Sequence, residues 1–153
     1  MTSCFRLLSL IMLLACFGFK TLDSEIQDQE LLDIVIASKP QLNFSVKEIP
    51  KNVKKAYKKK YHLDLSLANP GSPYNKTDVV YKKEPYGMLL FSGIEKGNVG
   101  FVLFESKGIY TQSFFVYYKL RNNRVIKMES LILKGQPKSF DELRQLLVDK
   151  QYL

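Results

Sequence analysis

At 153 residues, with 46% hydrophobic and 25% charged side chains, 8 Gly and 6 Pro, the chain has room for one ordinary globular domain and lacks the bias of a disordered, collagen-like or coiled-coil sequence. Its two cysteines, Cys4 and Cys16, fall in the first 16 residues and its single histidine is His62, so the body offers no disulfide, no thiolate metal site and no cysteine nucleophile. Lys and Arg outnumber Asp and Glu by 23 to 15, a formal charge of +8 that points to anionic partners.

Residues 1–18 have the layout of a secretory signal: a start whose only charged side chain is Arg6, a largely apolar stretch of nine residues from Leu7 to Ala15, then small residues. That stretch falls far below the roughly 20 residues a helix needs to cross a bilayer. Leu13-Leu14-Ala15-Cys16 resembles the bacterial lipoprotein signal, in which a small residue precedes the cysteine that becomes the acylated first residue of the mature chain. The resemblance implies cleavage before Cys16 and lipid attachment there. It also gives a purpose to a thiol that an exported chain otherwise leaves unexplained. The competing route, cleavage after Gly18, uses the small side chains of Cys16 and Gly18 and leaves a cysteine-free protein. The remainder, residues 19–153, is long enough to bury a core without disulfides, which suits the bacterial cell envelope better than a eukaryotic extracellular domain.

Ser24-Glu25-Ile26-Gln27 matches a capping box and opens a first helix in which Leu31, Leu32, Ile34, Val35 and Ile36 form an apolar stripe, with Pro40 as its stop. Pro50 opens a second helix that runs to about Tyr61. On a helical wheel Val53, Ala56, Tyr57 and Tyr61 fall on one side, and Lys51, Lys54, Lys55, Lys58 and Lys59 on the other; Lys60 interrupts the apolar arc. Asn69-Pro70-Gly71-Ser72-Pro73 and Lys82-Lys83-Glu84-Pro85 are breaks, with a short strand expected between them at Asp78-Val79-Val80-Tyr81. From Tyr86 the composition turns to β-formers, in the runs Gly87 to Ile94, Val99 to Ser106, Tyr110 to Leu120 and Arg124 to Leu133. The separators, among them Asn122-Asn123, are short, and short links force antiparallel neighbours. Ser139-Phe140-Asp141-Glu142 caps a closing helix whose apolar side is Leu143, Leu146 and Leu147. The expected class is α+β: N-terminal helices and a C-terminal helix packed on one face of an antiparallel meander of four to five strands, in a single domain over 19–153.

Between Lys47 and Lys60 seven lysines stand against one acid, Glu48, so this segment carries most of the excess charge. Export argues against nucleic acid as the partner, and no nucleic-acid motif accompanies the lysines. A solvated helix face accounts for such a run. The functional reading is contact of Lys51, Lys54, Lys55, Lys58 and Lys59 with an anionic lipid, glycan or protein surface. In the run Tyr110 to Leu120 alternation sends Phe114, Val116, Tyr118 and Leu120 to one face, and Phe115 and Tyr117 to the other. Such a strand is either covered on both sides or presents Phe115 and Tyr117 as an aromatic platform.

Catalytic machinery is hard to find in the sequence. His62 has no Gly-x-Ser-x-Gly serine to pair with, the glycines from Gly93 to Gly100 join two strands rather than a strand and a helix, and metal-ligand clusters are missing. No cofactor is expected. The function that follows is a small exported envelope protein, a lipoprotein held to the membrane by its N-terminal lipid and acting as a non-catalytic binding module. The alternative is a soluble periplasmic or secreted inhibitor of immunity type, although a positive inhibitor is poorly steered to a basic target. A small enzyme of unrecognised type is the third reading.

Overall fold

The computed structural model describes residues 29–77, 84–95, 98–108 and 110–153. The signal with Cys16, the capping box at Ser24 and the strand expected at 78–81 lie outside them. The chain divides into two units, Met1–Asp33 and Ile34–Leu153. In the first, residues 29–33 are helical, and Gln29 Nε2 donates to Asp33 Oδ1 at 2.8 Å one turn on. This helix, α1, is described over residues 29–37. It ends in the second unit at Ser38, whose N–H and hydroxyl both donate to the Val35 carbonyl.

The second unit is built on a sheet, of which six strands are described: β1 (Gln41–Asn43), β2 (Leu67–Ala68), β3 (Gly87–Glu95), β4 (Val99–Lys107), β5 (Thr111–Arg121) and β6 (Arg124–Leu133). The order β1-β3-β4-β5-β6 is antiparallel throughout, and β2 pairs parallel with the start of β3. The α+β class and the meander thus hold. Asn122 and Asn123 turn β5 into β6 with φ of 49° and 59°, the left-handed conformation that two-residue hairpin loops require. β1 and β2 add to the expected strands; at three and two residues they are too short to display a period of two.

Directly opposed residues in a ladder share a face, so the register sorts the sheet's side chains. Val102 opposes Val116, and Phe104 opposes both Leu89 and Phe114. This face is filled by Ile49, Val53 and Tyr57, which places α2 (Lys51–Tyr61) on it. Phe101 opposes Tyr117 and Leu103 opposes Phe115, making the other face. There the ring of Phe140, at the start of α3 (Phe140–Val148), stacks on Phe101 at 5.3 Å and 15°. The expected packing of all helices on one face is therefore corrected: α2 and α3 lie on opposite faces. The physical reason is β5, apolar on both sides, since each buried Phe or Tyr left facing water would forfeit roughly 1.5–3 kcal/mol.

Local chemistry sets the helix ends. Pro50 precedes the first turn of α2, and His62 closes it in the left-handed conformation, its N–H donating to the Lys58 carbonyl at 2.9 Å. Ser139 Oγ accepts from Glu142 N at 3.2 Å, while the Glu142 carboxylate reaches back to Lys138 N at 2.8 Å. Arg144 of α3 donates to the carbonyls of Ile36 and Ser38, tying α3 to the end of α1.

One irregularity positions the candidate site. β1 pairs with Ser92–Ile94 and β2 with Gly87–Met88, so among the described residues the outer edge of β3 is strandless from Leu89 to Phe91. A bulge at the same place shifts the register of β3 against β4.

Candidate functional site

The five lysines singled out on α2 separate into two groups. Lys54 Nζ donates to the Val46 carbonyl at 2.9 Å, and Lys58 pairs with Asp64 at 3.0 Å. Lys60, on the apolar side, turns to β6, where it pairs with Glu129 at 2.6 Å and donates to the Met128 carbonyl. Lys51, Lys55 and Lys59 are exposed, and their side chains make no hydrogen bond or ion pair with the described residues. Spaced by four, they form a stripe along one side of α2 about 12 Å long. Three cations at that spacing repel one another by a few tenths of a kcal/mol per pair, a cost that no acid among the described residues offsets.

Phe115 and Tyr117 lie inside, 0% and 3% exposed, on the face that α3 covers. The Phe115 ring contacts Phe101 at 5.6 Å and Tyr117 at 5.4 Å. Their placement is that of core side chains, covered rather than presented as a platform. His62, the lone histidine, is exposed at its helix terminus.

A feature that no sequence motif marks lies at the edge of β3 left unpaired among the described residues. Two adjoining clefts, of about 300 and about 470 Å³, share Met88 and Glu105 in their walls. The first is walled by Phe44, Pro70, Leu90, Phe91 and Pro137, the second by the loop from Gly71 to Tyr74 with Lys76 and Lys107. Glu105 is 7% exposed, a depth at which a carboxylate needs partners. Its Oε1 accepts from the Tyr74 hydroxyl at 2.6 Å and lies 3.5 Å from Lys107 Nζ. Burial, then the hydrogen bond and charge of Glu105, push the Tyr74 phenol well above the usual tyrosine range, so it serves as a donor and not as a base. Lys76 and Lys107 hold their ammonium groups 5.7 and 6.0 Å from the Tyr74 ring centroid. Directly across the ladder from Glu105, Ser113 has a buried hydroxyl without a hydrogen-bond partner among the described residues.

The signal for Glu105 is present in the chain. In Val99 to Ser106 alternation puts Phe101, Leu103 and Glu105 on one face, and an acid that continues an apolar stripe is a buried carboxylate. What no spacing shows is Tyr74, brought 31 positions along the chain to meet it. Among the described residues no three His, Cys, Asp or Glu side chains gather into a metal site, and no helix is long and apolar enough to cross a membrane. No family model, curated protein or solved structure matches the chain.

Proposed function

We propose that the protein is a small binding module of the bacterial cell envelope, exported by its N-terminal signal, anchored through acylated Cys16 and seated on an anionic surface by α2. The observation that carries the reading is the stripe of Lys51, Lys55 and Lys59, exposed and without acidic partners among the described residues, while Lys54, Lys58 and Lys60 are engaged by the fold. Near a negatively charged membrane each such lysine contributes about 1 kcal/mol. Three together supply a useful attraction but not a permanent attachment, which is the role the lipid at Cys16 fills, since stable anchoring takes two signals.

Reversing the stripe tests this. In a Cys16→Ser background, Lys51→Glu/Lys55→Glu/Lys59→Glu should lower binding to phosphatidylglycerol vesicles by about a hundredfold or more, because at least three favourable contacts are lost. Circular dichroism should show an intact fold, as none of the three side chains has a bond to the described residues to lose. Unchanged vesicle binding would remove α2 from the account. The anchor is checked by the intact mass of the mature protein: an acylated chain starting at Cys16 supports it, and a chain starting after Gly18 refutes it.

A further inference from the structure

We propose that the cleft at Glu105 is a binding site for a small, mostly apolar molecule carrying one O–H or N–H donor, with Glu105 Oε2 as the acceptor. The site does not depend on the lysine stripe, because Glu105 and α2 belong to opposite faces of the sheet.

Three observations converge on it. The first is an incomplete carboxylate. Tyr74 and Lys107 both address Oε1, and Oε2 receives no hydrogen bond from the described residues, although the side chain is only 9% exposed. An ionised carboxylate has about four acceptor positions, and Oε2, which is not among the sealed polar atoms that lack a partner, keeps an open approach for a donor. The second is the wall chemistry. Phe44, Met88, Phe91 and Pro137 make an apolar surround with a volume of about 300 Å³, at the small end of ligand sites, in which one polar group sets orientation. Phe44 is held at the rim, 59% exposed, its ring 6.4 Å from Phe91. The third is the edge of β3 from Leu89 to Phe91, which no strand among the described residues pairs and along which Leu89, Leu90 and Phe91 line the cleft.

The charges narrow the ligand class. Lys107 already compensates Glu105, and Lys76 and Lys138 also border the clefts. Oε2 therefore lacks a donor and not a counter-charge, and a free ammonium ligand would meet repulsion from three lysines. A neutral hydroxyl or amide N–H on an apolar body fits both demands.

Methyl NMR on protein labelled at methionine tests the proposal with a matched pair of probes, 4-propylphenol and 4-propylanisole, alike in shape but differing in the donor. Met88 lines the cleft, and Met128, buried on the α2 face, is an internal control. The Met88 resonance should shift saturably with the phenol while Met128 stays in place, and the anisole should bind about tenfold more weakly or worse. Glu105→Gln should abolish the preference, since it can turn an amide N–H toward the ligand hydroxyl. Equal affinity for the two probes, an unmoved Met88, or a full preference in Glu105→Gln would each overturn the site. If that variant fails to fold, the ratio between the probes in the unaltered protein decides alone.

Discussion

Phe101→Ala should lower unfolding stability by about 3–5 kcal/mol in urea denaturation, enough to leave a domain of ordinary stability marginal or unfolded. Phe101 is 1% exposed and is the ring through which α3 meets the sheet. It stacks on Phe140, meets Phe91 edge-on at 5.9 Å and touches Phe115. Beneath it lies Gly93, its ladder partner, where an added Cβ would come within 2.6 Å of the Phe101 ring. The absence of a side chain at Gly93 is what lets the ring lie against the strand. Truncation therefore removes the transfer free energy of a ring and leaves a void bounded by backbone, which collapses poorly. Phe44→Ala, at an exposed ring, should cost no more than about 1 kcal/mol. Equal losses for the two variants would contradict the assignment of the α3-side core to Phe101.

The second large effect is alkaline. Burial raises the phenols of Tyr57, Tyr86 and Tyr118 above the usual tyrosine value of 10.0, Tyr118 to about 12. Tyr57 of α2 and Tyr118 of β5 lie in the core between helix and sheet, and Tyr86 packs against it. Below pH 10 each is protonated in the folded and the unfolded chain alike, and stability does not depend on them. Above it the unfolded chain releases protons that the folded chain keeps, so stability falls as pH rises. For Tyr118 the loss is complete near pH 12 and amounts to roughly 3 kcal/mol, at about 1.4 kcal/mol per pH unit. Unfolding followed by circular dichroism should set in between these pH values, with tyrosinate absorbance rising in step. Tyr118→Phe should move the midpoint upward; an unmoved midpoint would show that other groups drive the transition.

The parts of the fold that were legible in the chain were those with a local cause. Asn122-Asn123 fixes a hairpin by its φ values, Ser139 and Glu142 cap α3 through neighbouring amides, and Pro50 marks the start of α2. The partition of helices between the two faces was legible only as an ambiguity, since β5 was apolar on both sides and alternation says nothing of what covers each face. β1 and β2 escaped because their pairing with β3 is a tertiary matter. The same holds for the candidate sites. Which lysines are engaged depends on Val46, Asp64 and Glu129, and none of these can be paired to a particular lysine from the wheel. Glu105 was readable as an inward acid, but its meaning rests on Tyr74 and on a stretch of β3 edge unpaired by any described strand, which only the register reveals.

The seating of α2 on an anionic surface is tested most directly by the salt dependence of binding of the Cys16→Ser protein to vesicles, with phosphatidylglycerol present or with phosphatidylcholine alone. Raising salt from about 0.05 to about 0.5 M shortens the screening length to a few ångströms, so attraction through exposed lysines should fade. The expected result is binding to the anionic vesicles at low salt, its loss at high salt, and none to the neutral vesicles at either. Binding that ignores salt, or that is equal on both lipids, would contradict the account.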